Sequence, residues 1–261
     1  MRVKEAVILA GGLGTRLKSV VRDLPKPMAD VSGRPFLSYL LEYLSSHGIN
    51  KVVLSVGFRR EAIMECFGGG HSGVAIEYAV EDRPLGTGGG LREALKLCRG
   101  ENVFALNGDS FFGVNLGSME FFHVTGGPLL TMAVKPVVEI ARFGSIRVED
   151  ARVAGFEEKK TGPGFINGGV YIINRRILGA LDGFKESFSF ESDFLKLNSG
   201  SILPFVSDSY FIDIGIPEDY AKARFELAGR FERLLKRPNR PHGQKAVPAQ
   251  GPDAAKIQRE G

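Results

Sequence analysis

Across the first hundred residues, short β-rich runs alternate with amphipathic stretches, and this alternation restricts the fold more than any other feature. Residues 3–10, 51–56, 74–80 and 102–106 are strand-length runs rich in Val, Ile, Leu, Ala and Phe. Between them, residues 35–47 have helical periodicity, opened by Pro35 and followed by Gly48, and residues 58–67 and 89–98 repeat the helical pattern. Such a βαβ series predicts a parallel sheet covered by helices on both faces. The second half is less regular. Strands are expected over 129–135, 144–148, 152–157, 169–173 and 210–214, short helical pieces over 175–181 and 190–197, and a last helix from Pro217 to about Leu235. The expectation is an α/β fold with one Rossmann-like, mixed, mostly parallel sheet and a small β-rich lobe, in a single domain over residues 1–236.

Residues 237–261 differ in kind, with four Pro and little apolar content, and are expected to form a disordered tail. Five basic residues against Asp253 and Glu260 place most of the formal charge of +4 in that segment. The nearly neutral body argues against a nucleic-acid partner, which would require clustered basic residues on one face. Cys66 and Cys98 are too few for a disulfide framework and lack metal-ligand spacing, and the apolar run 6–10 is too short for a signal or membrane segment. A cytoplasmic protein with no membrane partner is the expectation. Oligomeric state is not legible, because the apolar residues 36–44 would serve equally as core or as the interface of a homo-oligomer.

Gly is unusually common, at 34 of 261 residues, roughly twice the usual ~7%. Several glycines sit directly after the first strand, in the run Leu9, Ala10, Gly11, Gly12, Leu13, Gly14, Thr15, Arg16 and Leu17. Glycines at the C-terminal end of a parallel strand let backbone N–H groups face an anion, and ligands bind at such ends in open α/β sheets. The run matches neither the Walker pattern nor G-x-G-x-x-G. Arg16 and the Lys26 of Pro25-Lys26-Pro27 add two cations at short range, so a phosphate loop is expected.

At these residues the sequence resembles the sugar-1-phosphate nucleotidylyltransferases, whose signature is a G-G-x-G-T-R-L loop followed by P-K-P; later motifs match in order to about residue 225. The resemblance implies a nucleotide-diphosphosugar transferase fold, with a nucleotide-binding half over about 1–125 and a sugar-binding half over about 126–236. It also implies the reaction of a nucleoside triphosphate with a sugar 1-phosphate to give a nucleotide sugar and pyrophosphate. By motif match, Leu9, Ala10, Gly11, Gly12, Gly14 and Thr15 would line the nucleotide. Arg16 would bind the triphosphate and assist pyrophosphate departure, and Lys26 would hold charge near the α-phosphorus. The chemistry agrees with this division of labour. A sugar phosphate is already ionised and needs no strong base, so positioning and fixed cations can supply most of the catalysis. No Ser-His-Asp or Cys-His arrangement is needed, and all four His are unremarkable.

Asn107, Gly108 and Asp109 follow the fourth strand, and Asp213 ends a later one. The resemblance assigns Asn107 and Asp109 to the nucleotide and both Asp109 and Asp213 to Mg2+, an ion that commonly takes one or two carboxylates together with substrate phosphates. The bland alternative for each is a turn-capping Asp, a reading that weighs more for Asp213 than for Asp109. The segment Glu81, Asp82, Arg83, Pro84, Leu85, Gly86, Thr87 resembles the family's base-reading loop, with Gly86 and Thr87 against the nucleotide. In relatives that use thymidine or uridine triphosphate, Gln usually stands at the position of Glu81. A carboxylate only accepts hydrogen bonds, and guanine presents two adjacent donors, so Glu81 points to GTP.

On the sugar side, Phe143-Gly144, Phe156-Glu157-Glu158-Lys159 and Ile166-Asn167-Gly168-Gly169 are similar to the family's sugar-phosphate motifs. Glu158 would accept sugar hydroxyls, Lys159 would pair with the phosphate, and Gly144 and Asn167 would complete the pocket; the bland alternative for 157–160 is an exposed charged hairpin. Lys160 stands where many relatives have Pro, and Gly169 where a bulkier residue is common. The combination is most similar to the D-glycero-D-manno-heptose 1-phosphate guanylyltransferases, which implies a GDP-heptose product for capsule or surface-layer glycans. Mannose 1-phosphate with GTP, glucose 1-phosphate with a pyrimidine nucleotide, and a non-catalytic nucleotide-sugar sensor remain the alternatives.

Overall fold

The computed structural model of the chain describes residues 2–12, 24–140, 144–157 and 161–236. In chain order its elements are β1 (Glu5–Leu9), β2 (Asp30–Val31), β3 (Arg34–Pro35), α1 (Phe36–Ser46), β4 (Lys51–Val56), α2 (Arg60–Phe67), β5 (Gly70–His71), β6 (Val74–Val80), α3 (Gly86–Leu97), β7 (Asn102–Asn107), β8 (Ser110–Phe112), α4 (Leu116–Gly126), β9 (Leu130–Val137), β10 (Ser145–Glu149), β11 (Arg152–Glu157), β12 (Gly164–Asn174), α5 (Leu178–Leu181), β13 (Ile202–Val206), β14 (Phe211–Asp213) and α6 (Pro217–Lys236). The expected tail, 237–261, lies outside the described residues.

One mixed ten-stranded sheet runs in the order β11-β10-β12-β7-β1-β4-β6-β5, with β9 paired to both β12 and β13. Its centre is the parallel set β7, β1, β4 and β6. Beyond β7 the direction reverses, because β12 is antiparallel to it. Alternate residues of the central strands feed two cores. Ala6, Ile8, Val52, Leu54, Phe104 and Leu106 pack with α1, α4 and α6, whereas Val7, Val53, Val103 and Ala105 pack with α3 and α5. Burial on both faces explains why β1, β4 and β7 read as nearly unbroken apolar runs, whereas β6 alternates buried and exposed residues. Phe36, Leu37, Leu40, Leu41 and Leu44 of α1 are all fully buried within the single chain, so they are core.

Several elements differ from the expectation. α3 begins at Gly86 rather than at residue 89, and β12 extends well before residue 169. α4 was not anticipated, although Asn115 caps it by accepting from Ser118 N (2.8 Å) and Gly127 follows it with φ +62°. β8 and β13 were not anticipated either. Residues 182–189 form a strap from α5 to a π-helical turn, Phe190–Leu195, and the strap crosses the glycine-rich first turns of α3. Gly88 N donates to Phe188 O (2.9 Å), and a methyl on Gly88 would overlap the Phe188 ring. The strap is tied down by Arg92, whose buried guanidinium donates to the carbonyls of Leu181 (3.2 Å), Phe184 (3.4 Å), Lys185 (3.4 Å) and Glu186 (3.2 Å). Among the described residues, no helix is long and apolar enough to cross a membrane.

His123 on α4 is buried between Thr131 Oγ1 (2.8 Å, to Nδ1) and Asn102 Oδ1 (3.2 Å, to Nε2). Asn102 Oδ1 also accepts from Asn174 Nδ2 (3.0 Å), which identifies it as the oxygen. A neutral ring protonated on Nε2 therefore satisfies both neighbours. Burial pushes the His123 pKa from 6.5 to about 4.

Two outcomes follow. The unfolded chain binds a proton at His123 below about pH 6.5 and the native chain only near pH 4, so stability falls as pH drops through that window. Urea midpoints should show wild type losing on the order of 2 kcal/mol more than His123→Gln between pH 7 and pH 5. Replacing Arg92 with Ala strands four carbonyls and should cost on the order of 3 kcal/mol by the same measurement, with Lys recovering only part.

Candidate active site

All four central parallel strands end on one edge. The registers pair Leu9 with both Ser55 and Asn107, and Val56 with Val80. The residues that follow, Ala10 to Gly12, Gly57, Glu81 and Gly108-Asp109, are therefore neighbours. Leu9 and Ala10 are the last residues held by the sheet, with Ala10 N bonded to Ser55 O (2.8 Å), and Gly11 and Gly12 stand just beyond it. Leu13, Gly14, Thr15, Arg16 and Leu17 lie outside the described residues.

Lys26 occupies a short 3-10 turn, Lys26–Met28, entered from Pro25. Its Nζ meets Asp109 Oδ2 at 2.8 Å, and both side chains are half-buried. Asp213 reaches the same place by a different route. β14 pairs with β8 so that Asp213 faces Ser110, and Ile214 N donates to Asp109 O (2.9 Å). Burial, then the neighbouring Asp109 carboxylate, pushes the Asp213 carboxyl up to about 6; the Gly215 amide (2.6 Å) and Lys26 act in the opposite sense. Asn107 Oδ1 is buried beside them and accepts no hydrogen bond among the described residues. The sequence-predicted Lys26, Asn107, Asp109 and Asp213 thus come together.

Glu81 lies across the edge from this cluster. Its Oε1 accepts from Ser55 Oγ (2.8 Å) and its Oε2 from Leu85 N (3.0 Å). A Cβ added to either Gly11 or Gly90 would lie 2.7 Å from Oε1, so the carboxylate sits in a slot between those two glycines. Gly86, with φ +71°, begins α3. Thr87 follows, but its hydroxyl donates to Glu191 Oε2 (2.6 Å) and accepts from Phe190 N (2.9 Å), fastening the strap. Ser55, Arg92 and Glu191 escaped sequence reasoning. A Ser inside an apolar strand, and polar residues far apart in sequence, carry no local signal.

The sugar-side motifs also converge. Ser145, immediately after Gly144, pairs with both Glu157 and Ile166, which brings Gly144 and Asn167 near the end of β11. Glu158 and Lys159, like Phe143 and Lys160, lie outside the described residues. Asn167 turns inward at an irregularity in β12: its Oδ1 accepts from Gly169 N (3.0 Å) and its Nδ2 donates to Tyr171 Oη (2.6 Å). Gly169 has φ +67°, and a Cβ there would lie 2.7 Å from Ser110 Oγ and 3.1 Å from Asn107 Nδ2. A small residue at 169 is therefore what lets β12 approach Asn107.

Two carboxylates and one ammonium at the C-terminal edge of a parallel sheet make a site for polyanions and a cation together. Among the described residues, no cluster of three or more His, Cys, Asp or Glu side chains suits a metal held by protein alone. Comparison with known proteins agrees with this chemistry. Residues 5–229 match the family model "Nucleotidyl transferase". The chain is 47% identical over 226 residues to the D-glycero-alpha-D-manno-heptose 1-phosphate guanylyltransferase of Aneurinibacillus thermoaerophilus, covering 85% of this chain and 98% of that one. It is 41% identical to the enzyme of the same name from Campylobacter jejuni, covering 83% and 96%. Among solved structures, HddC from Yersinia pseudotuberculosis, also determined in complex with GMP-PN, superposes with a TM-score of 0.77 at 38% identity, covering 86% of this chain and 100% of that one. The inositol-1-phosphate CTP transferase from T. maritima shares the fold at 18% identity and a TM-score of 0.72. With its sheet topology, its polar strand edge and nearly its whole described length accounted for in this way, the chain belongs to the nucleotidyl transferase family.

Proposed function

We propose that the protein is a sugar-1-phosphate guanylyltransferase that joins GTP to D-glycero-α-D-manno-heptose 1-phosphate, giving GDP-heptose and pyrophosphate. The observation that carries this reading is the meeting of Lys26, Asp109 and Asp213 at the edge where Gly11 and Gly12 leave β1. The relatives named above, which match over nearly their full lengths, support both the base and the sugar. Residues 1–236 act as one domain, its nucleotide half (about 1–125) and sugar half (about 126–236) joined along the β7–β12 ladder. Unpaired Cys66 and Cys98 support a reducing, cytoplasmic setting.

In the reaction, an oxygen of the sugar phosphate attacks the α-phosphorus in line, and the bond from that phosphorus to the bridging oxygen of pyrophosphate breaks. Backbone N–H groups at Gly11 and Gly12 cradle the triphosphate; the motif assigns Gly14 and Thr15 to the same cradle and Arg16 to the charge on the departing pyrophosphate. Lys26 is held by Asp109 in the free protein, so its charge is already placed where phosphate arrives. Asp109 and Asp213 suit a divalent cation: they stand close enough that one raises the other's pKa, and a cation removes that repulsion. Bound there, Mg2+ would neutralise phosphate charge. Glu81 accepts the two donors of guanine, and Gly86 and Thr87 pack beside the nucleotide through backbone and methyl atoms. Gly144 and Asn167 line the sugar-phosphate pocket, Asn167 through its hold on β12, and the motif assigns Glu158 and Lys159 to the same pocket.

Two assays test this. Pyrophosphate release measured over a grid of GTP, ATP, UTP and thymidine triphosphate against heptose, mannose and glucose 1-phosphates should be fastest with GTP and the heptose. A tenfold preference for thymidine triphosphate would remove the base assignment, and a similar preference for mannose 1-phosphate would remove the sugar. Lys26→Ala should fold normally by circular dichroism yet lower kcat by at least about a hundredfold; near-normal turnover would dismantle the proposed site.

A further inference from the structure

Ser55 is the next-to-last residue of β4, almost wholly buried, and among the described residues its side chain bonds to the Glu81 carboxylate alone. The opposite oxygen of that carboxylate is held by the Leu85 amide. The Cα atoms of Gly11 and Gly90 wall the group, and a Cβ on Gly90 would lie 2.6 Å from Ser55 Oγ as well as 2.7 Å from Glu81 Oε1. Residue 81 is thus fixed by two donors and enclosed by two residues without side chains. Each carboxylate oxygen has two lone pairs, so one acceptor site per oxygen remains, the two lying side by side.

The two anchors differ in kind. The Leu85 N–H can only donate. The Ser55 hydroxyl can donate or, by rotating, accept. With Glu at position 81, both anchors donate and the outward edge offers two acceptors. With Gln, the amide carbonyl has to face Leu85 and the NH2 group has to face Ser55, whose hydroxyl turns to accept it. The outward edge then offers one acceptor and one donor in fixed order, the pattern that pairs with uracil or thymine.

We propose that Ser55 is a specificity-determining positioning residue for the nucleotide base: with the Leu85 amide it fixes which way residue 81 presents its acceptors and donors. The proposal rests on the guanylyltransferase reading above, in which Glu81 faces guanine. Ser55 itself need not touch the nucleotide.

The test uses the full chain with heptose 1-phosphate and compares GTP with inosine triphosphate, which lacks the exocyclic amine, and with UTP. Wild type should favour GTP over inosine triphosphate by at least about tenfold in kcat/KM, the scale of one lost hydrogen bond. Ser55→Ala should keep kcat within about twofold, raise the KM for GTP about tenfold and bring the GTP to inosine triphosphate ratio below about threefold. Ser55→Cys, which fills the space with a slightly larger atom but donates weakly, should fall between the two and guards against a folding defect caused by the cavity in the Ala variant. Glu81→Gln should move preference toward UTP, and adding Ser55→Ala to it should erase that gain. An unchanged KM and ratio in Ser55→Ala, or an equal loss of kcat for every nucleotide with a lowered Tm, would overturn the proposal. A wild type that prefers UTP over GTP would instead defeat the underlying guanylyl reading, and that outcome is visible before any variant is made.

Discussion

Everything polar in this site depends on four parallel strands that stop in register, three of them, β7, β1 and β4, buried on both faces. Inside the sheet the middle of β1 and β4 is wholly apolar, with Ala6, Val7, Ile8, Val52, Val53 and Leu54 fully buried, and the charges of Glu5, Lys51 and Glu77 are paired with one another. Where the strands end, backbone groups lose their ladder partners, and Gly11, Gly57, Glu81 and Asp109 appear within a residue or two of one another along the edge. A flat apolar interior therefore produces a concentrated polar margin, and the chemistry follows from that contrast in solvation.

Electrostatic balance at the margin comes from pairing rather than exposure. Lys26 and Asp109 compensate one another at 2.8 Å, while Asp213, delivered by the short β8–β14 ribbon, is left with burial and a like charge against it. Such a cluster tolerates its own charges only marginally when alone and better once an anion and a cation share it. The opposite margin is different in character, since Glu81 is satisfied by neutral donors and shaped by glycines. One side is built for charge, the other for hydrogen-bond pattern.

Much of this was legible in the chain. Strands buried on both faces announce themselves as continuous apolar runs, and the residues that follow them were correctly expected to share an edge. What escaped has a common cause: it depends on contacts between residues distant in sequence. Ser55 looks like a tolerated polar residue in a strand until its partner 26 residues away is known. The glycines after Leu85 read as a nucleotide loop, yet several make room for a strap that arrives a hundred residues later. α4 was missed because Leu116, Met119 and His123 alone of its residues are buried, too sparse a stripe to register against the exposed Phe121 and Val124.

The irregularity in β12 has one more implication. Between Asn167 and Tyr171, four steps along β12 oppose two along β9, from Val134 to Met132. The surplus is even, so odd-numbered side chains such as Phe165, Tyr171 and Ile173 stay with one core, and Val170 and Ile172 with the other. Deleting a single residue there would swap the two layers for everything downstream, sending the Tyr171 hydroxyl into the wrong interior; deleting two would keep the phase and merely flatten the kink. Natural length variation at this point should therefore come in pairs.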